Sequence, residues 1–482
     1  MTHPAASFRD PTGSCCIIDG HFLRLLTAEG ASALQGFLQT PVARAFSARR
    51  ELVATRSLGE PELNGLRGSP KLPDAFRNGH LAAVVEHDRI PFPSYPYEWP
   101  AEMLWEAGRL TLELARASLG DGYGLKDATP YNVLFRGCQP VFVDLLSFEA
   151  RAPGDPVWLA YAQFVRTFLL PLLANQCWGL RLADIFTSRR DGLEPEELHA
   201  MCKGLQRLNP RILSLVSMPT WLKSKAHSTG GELYKSQILK NSEKARFILD
   251  SQLRRLQAAL NGVQSRPRQD STWSDYMATH SYSQDAFDAK EKFVHQLLAE
   301  FKPARVLDVG ANTGHFGVLA ARSGAEVLAI DLDPVCVGAI WRQARKENLN
   351  ILPLVIDLAR PSPALGWRNA ECASFLDRAT GAFEGVLMLA VLHHLLVSER
   401  IPLQEIIRLA SELTTSLLVV EFVGPQDEML RQLARGRDQL HAGLNEAAFE
   451  AACAPLFETV RSLALPGTHR RIYALKKRGA GA

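Results

Sequence analysis

A chain of 482 residues, 46% of them hydrophobic, can bury two or three cores, so a globular protein of two domains is expected. A formal net charge of +3 excludes the strong polycation that would bind nucleic acid or an anionic membrane in bulk, and no specific nucleic-acid partner is expected. The eight cysteines include no C-x-x-C pair and no metal-type spacing, and Cys15 and Cys16 are adjacent, which excludes a disulfide framework and a structural zinc as expectations. The first residues lack the apolar core of a signal peptide, and the apolar run 168–174 is short and follows Arg166. A cytoplasmic protein without a membrane span is therefore expected.

Residues 15–26 read as two short strands around Asp19-Gly20, a dipeptide suited to a hairpin turn. Two helical stretches follow, the second opened by Pro41 and continuing through Arg50. Residues 59–79 are rich in proline, glycine and polar side chains and read as a loop; residues 81–86 read as a strand. A helix over 101–119 places Leu104, Gly108, Leu112 and Ala115 at helical spacing.

Next comes the polar constellation of this half: Asp127, Asn132 five residues on, two strand-like runs, and Asp144. It resembles the catalytic loop and metal-binding aspartate of protein-kinase-like folds. That resemblance implies Asp127 as base with Asn132 and Asp144 on magnesium. Leu125-Lys126 stand where His-Arg usually precede the base, Leu145-Leu146 replace Phe-Gly, and neither a glycine-rich phosphate loop nor a strand lysine is found upstream. A hairpin with polar turns, or a kinase-like scaffold without phosphotransfer, is the expectation, and a working kinase the alternative. Residues 158–221 read as helical, and 223–268 carry an excess of basic residues that suits a solvated connecting helix. The expected domains are an α+β unit over 1–222, a basic connector over 223–269 and an α/β unit over 270–482.

The α/β unit opens on Val306-Leu307-Asp308-Val309-Gly310-Ala311-Asn312-Thr313-Gly314. A buried strand ends at Val309, a glycine turn spans 310–314, a helix spans 315–323, and a second strand ends at Asp331; this is a βαβ unit of a parallel sheet. Glycines at 310 and 314 let the chain turn tightly and let a ligand approach the helix N-terminus. Asp331 stands where a carboxylate accepts hydrogen bonds from a ribose diol. Asp308, two residues before the first glycine, suits a cationic ligand better than a pyrophosphate.

This order resembles the first motif of class I S-adenosylmethionine-dependent methyltransferases, with Asn312 at the position where glycine is commonest. The resemblance implies a Rossmann-like sheet of seven strands and S-adenosylmethionine as cofactor. Asp308, Gly310, Asn312 and Gly314 would cradle its amino-acid end, while Asp331 and Leu332 would take the ribose. Asp357, after the third strand at 351–356, would take the adenine amino group, and Leu389 would complete the pocket. Ahead of the first strand, Trp273, Tyr276, Tyr282 and Lys290 lie on a lid segment and a helix running to Glu300; Tyr282 is the candidate for cofactor contact.

The fourth strand, 385–389, runs into His393 and His394, and the fifth, 417–420, ends at Glu421, so these three are candidates for binding or deprotonating the acceptor. Strands near 460–463 and 471–475 suit the antiparallel pair that closes such a sheet. Gly366-Trp367, the histidine pair, Glu421 to Asp427 and the long N-terminal half together resemble a group of large bacterial methyltransferases that includes host-specific nodulation proteins of rhizobia. The group implies methylation of a small molecule such as a carbohydrate or lipo-oligosaccharide signal; an oxygen or nitrogen is the expected acceptor atom, and nothing in the sequence calls for a metal. The alternatives are a bifunctional kinase and methyltransferase, and a non-catalytic protein that binds the cofactor.

Overall fold

The computed structural model describes residues 10–67, 81–226, 238–264, 283–434 and 443–479. It divides into two compact units, Met1–Ser265 with Ala364–Cys372, and Arg266–Pro363 with Ala373–Ala482.

In the first unit, Asp19 and Gly20 both hold positive φ and turn β1 (Gly13–Ile18) into β2 (His21–Leu26), the backbone that a two-residue hairpin needs. With β3 (Thr55–Ser57) and β4 (Ala83–His87) they form an antiparallel sheet in the order β1-β2-β4-β3, and two separate pairs follow, β5 (Tyr123–Leu125) with β8 (Phe148–Ala150) and β6 (Val133–Arg136) with β7 (Gln139–Phe142). Thr27 and Thr40 cap the helices Ala28–Leu38 and Pro41–Ala48, their side chains accepting from Gly30 and Ala43 N–H groups.

Residues 59–79 do not read correctly as a loop throughout, because Glu60–Arg67 is a helix. Glu62 accepts from the Gly59 N–H at 2.9 Å, and Leu63 is buried with Ile18, Leu25 and Val84, so a first-turn carboxylate and core burial outweigh a weak local preference. The basic stretch also holds more than a solvated connector. Its helix Ser242–Gly262 buries Ala245, Leu249, Leu253, Leu256 and Leu260, and the Leu260 carbonyl accepts from the Trp105 indole of helix Ala101–Ser118 at 3.0 Å. That helix is part of the first unit.

The second unit is a seven-stranded sheet. Five parallel strands, β9 (Arg305–Val309), β10 (Glu326–Asp331), β11 (Ile351–Val355), β12 (Phe383–Met388) and β13 (Thr414–Val423), are joined by β14 (Phe457–Ala464) and β15 (Arg470–Lys477). The order is β11-β10-β9-β12-β13-β15-β14, with β15 antiparallel to both of its neighbours. β9, β10 and β11 are apolar runs with almost every side chain buried, as expected for a parallel sheet covered on both faces. Strand order reverses between β9 and β12, and ligands of open α/β sheets bind at the carboxyl ends of the strands beside such a point.

One strand differs in a way that matters for the site. The fifth was expected over 417–420 with Glu421 at its end, but β13 continues to Val423, and Glu421 pairs with Ile472 of β15 inside the sheet. Seven consecutive pairings with β15, from Leu417 to Val423, carry the extension.

Candidate active site

The turn after β9 is built by three residues in left-handed conformations: Gly310 (φ 65°), Asn312 (φ 50°) and Gly314 (φ 90°). A Cβ on Gly314 would lie 2.9 Å from Ile340 Cγ1, and one on Gly310 would lie 3.0 Å from Val391 Cγ2, so sterics as well as φ select glycine at both. Asn312 fills the third position because asparagine tolerates this region; its Oδ1 accepts from the Thr313 N–H at 2.7 Å.

Asp331 locks the turn to the next strand. Its Oδ2 accepts from the Asn312 N–H at 2.8 Å and its Oδ1 from the Asp333 N–H at 2.9 Å. Burial pushes its carboxyl above the usual range, against the pull of those N–H groups.

Beside this turn lies a cavity of about 310 Å³. It gathers Gly310, Asn312, Asp331, Leu332, Asp357, Leu389 and His394 from the carboxyl ends of four parallel strands and the segments that follow them. Asp357 is tied on one side, its Oδ1 accepting from the Ala359 N–H at 2.9 Å and its Oδ2 lying 2.9 Å from Arg360. Glycine turn, carboxylates and cavity together fit a nucleoside with a cationic amino-acid tail.

Gly314, Asp308 and Glu421 sit elsewhere. Gly314 packs behind the turn against Ile340. Asp308 is buried and is absent from the cavity wall; alternation along β9 turns it toward Gly317, where a Cβ would be 3.0 Å from its Oδ2. Burial drives its carboxyl up to about 7, so it is no fixed anion for a cationic ligand at neutral pH. Glu421 is fully buried within β13 instead of at a strand end, and its oxygens accept from Lys290 Nζ at 2.6 Å and Arg470 at 3.3 Å. Tyr282, with Trp273 and Tyr276, lies outside the described residues.

The two histidines part company. His394 lines the cavity, whereas His393 is 1% exposed behind it, the ring centroids 4.3 Å apart. Burial holds the pKa of His393 well below the usual histidine value and also lowers that of His394, with nearby Arg470 adding to both.

Several features were not anticipated. Ala390, a cavity residue separated from the end of β12 by Leu389, holds φ 59°, where an L-alanine is strained. His394–Ser398 is a π-helical turn, closed by the Glu399 N–H donating to the His394 carbonyl at 3.1 Å. Lys290 lines the cavity although 3% exposed, 5.0 Å from the Phe316 ring centroid. Its signal was present: on helix Gln284–Phe301 the buried stripe runs Ala286, Lys290, Phe293, Val294, Leu297, so a lysine occupies an apolar position. Arg470 gave none, since it is placed only by pairing of β15 with β13.

In the first unit the kinase-like residues are bonded to one another. Asp144 Oδ1 accepts from Arg24 at 2.8 Å, its Oδ2 accepts from Ser147 Oγ at 2.5 Å, and Asn132 Nδ2 donates to Ser147 Oγ at 3.2 Å and to the Asp127 carbonyl at 3.4 Å. The pKa of Asp127 is raised, chiefly by burial and then by Asp144. Among the described residues no group of three or more histidine, cysteine, aspartate or glutamate side chains is placed to hold a metal ion.

Residues 282–473 match the family model described as "Methyltransferase domain". The protein is an S-adenosylmethionine-dependent methyltransferase. Among curated proteins it is similar to the nodulation protein NoeA of Rhizobium meliloti (strain 1021), 29% identical over 475 residues that cover 98% of this chain and 96% of the relative. Among solved structures, N-methyltransferase NodS from Bradyrhizobium japonicum WM9 aligns with 15% identity and a TM-score of 0.31, covering 41% of this chain and 99% of NodS. Magnesium protoporphyrin IX methyltransferase from Synechocystis PCC 6803, solved with bound SAH, aligns with 18% identity and a TM-score of 0.30, covering 42% of this chain and 92% of that one.

Proposed function

We propose that this methyltransferase modifies an oxygen or nitrogen atom of a small-molecule acceptor, and that the acceptor class is a carbohydrate or lipo-oligosaccharide. The observation that carries the first part is His394 on the cavity wall, with a pKa lowered by burial. A neutral imidazole at pH 7 can take the proton that an oxygen or nitrogen acceptor loses. Similarity to a nodulation protein along almost the whole chain supports the acceptor class.

When bound, S-adenosylmethionine supplies a methyl group on a positively charged sulfur, already an activated leaving group. The chain's own task is to bind, align and exclude water. In this reading Gly310 and Asn312 form the berth of the amino-acid end. Asp331 and Leu332 take the ribose, Asp357 takes the adenine edge, and Leu389 packs beneath. His393 backs His394 and keeps its ring in place, while Glu421 acts at one remove, by holding Lys290.

The first unit is read as a scaffold without phosphotransfer. Arg24 and Ser147 occupy both oxygens of Asp144, which supports that reading over a kinase. We place the protein in the cytoplasm, supported by eight free cysteines. No described helix is long and apolar enough to cross a membrane.

The test is to incubate an extract of the source cells with isotopically labelled S-adenosylmethionine and the purified protein, then identify what acquires label. Label in a small glycan or glycolipid, lost in a His394→Ala variant that still binds cofactor, is the expected result. Label only in protein or nucleic acid would contradict it.

A further inference from the structure

Lys290, Glu421, Arg470 and Asp427 form a buried ladder under the active-site cavity. Lys290 Nζ donates to Glu421 Oε2 at 2.6 Å and Arg470 donates to Glu421 Oε1 at 3.3 Å. Arg470 also donates to both oxygens of Asp427, at 2.7 and 3.1 Å. All four residues are less than 9% exposed. The ladder holds two cations and two carboxylates, so its formal charge is zero. An apolar set of similar volume would stabilise such a core as well or better, so stability does not explain a lysine at the cavity wall.

The charges on that wall are divided. Asp331 ends β10 and Asp357 follows β11, on one side of the central strand β9. Lys290 is bonded to β13, on the other side of β9, and its ammonium stands 5.0 Å from the centroid of Phe316, in the first turn of the helix that the glycine turn opens. Lys290 is the one lysine or arginine among the described lining residues. A cofactor whose ribose meets Asp331 extends its amino-acid tail past the glycine turn toward this wing. Its one anionic group is the carboxylate at the end of that tail.

We infer that Lys290, held in place by Glu421, binds the α-carboxylate of the cofactor. The inference rests on the cofactor placement proposed above. Glu421 fixes the ammonium while Arg470 and Asp427 fix Glu421, so the donor is positioned before the ligand arrives.

The experiment is calorimetric titration of the full-length protein with two ligands that share the nucleoside and the sulfur. S-adenosylhomocysteine carries the α-carboxylate, and 5′-methylthioadenosine lacks the whole amino-acid tail. Lys290→Met is expected to weaken S-adenosylhomocysteine by about 10- to 100-fold, the size of a lost charge-assisted hydrogen bond, and to leave 5′-methylthioadenosine within about twofold. Lys290→Arg is expected to restore part of the loss. The double variant Lys290→Met, Glu421→Gln removes the buried unpaired carboxylate and should show the same discrimination if the single variant folds poorly. Equal loss for both ligands, or loss for neither, would overturn the inference. Failure of the wild-type protein to bind either ligand would instead overturn the cofactor placement.

Discussion

Lys290 and Glu421 meet at 2.6 Å with side chains 4% and 0% exposed, although 131 residues separate them in the chain. Neither can hydrate its charge, so each depends on the other, and on Arg470 beyond, for compensation. Glu421→Ala is expected to destabilise the second unit by about 3–5 kcal/mol, because it leaves buried cations uncompensated. Glu405→Ala, which breaks the exposed pair with Arg408, is expected to cost less than about 1 kcal/mol. Urea denaturation of both variants checks the contrast, and equal costs would show that the ladder is not held as described.

Asp308 should leave a signature in stability against pH. Its carboxyl is raised from 3.8 to about 7, so the folded state holds a proton that the unfolded state releases between those values. Its contribution is fully present below pH 3.8 and is lost as pH rises through about 7. Asp308→Asn cannot ionise, and is expected to gain on wild type by on the order of 2–4 kcal/mol between pH 4 and pH 8. Denaturation of both proteins at those two pH values measures it; a constant difference would show that Asp308 is ionised throughout.

His394 gives the opposite sign. A lowered pKa means that the neutral ring persists at neutral pH and is lost only in acid. With an acceptor in hand, the acid limb of kcat/KM should fall below the ordinary histidine value of about 6.5. His394→Ala should lower kcat by about 10²- to 10⁴-fold while cofactor affinity holds. An acid limb above that value would remove His394 as the base.

Gly314 and Gly324 share a left-handed backbone, φ 90° and 97°, but differ in surroundings. A Cβ at 314 meets Ile340 at 2.9 Å, and one at 324 meets nothing within 4 Å. Gly324→Ala should cost about 1–2 kcal/mol from the backbone alone. Gly314→Ala should cost more and weaken cofactor binding as well. Thermal unfolding in the presence and absence of S-adenosylhomocysteine separates the two effects.

Local order was the legible part of the sequence. β9 and β10, the glycine turn and the helix Leu403–Leu413 follow from apolar runs and punctuation that neighbouring residues supply. What escaped depends on partners far along the chain. Glu421 reads as a strand-end carboxylate in the sequence because the extension of β13 is made by β15, roughly fifty residues later. The place of Asp308 in a motif points it to the ligand, although alternation along β9 turns its side chain toward Gly317 and off the cavity wall. The left-handed Ala390 and the π-helical turn after it have no glycine or proline to announce them. They sit where the fourth strand delivers the chain to the cavity, a place where function tolerates strain.

Calorimetric titration of S-adenosylmethionine into the wild-type protein and Asp331→Ala measures whether the cavity beside the glycine turn is the cofactor site. Asp331 lines the cavity and fixes the glycine turn through Asn312, so its loss removes both the contact proposed for the ribose and the lock on the turn. Micromolar binding to the wild-type protein and at least about tenfold weaker binding to the variant are expected. Unchanged affinity in a folded Asp331→Ala protein would contradict it.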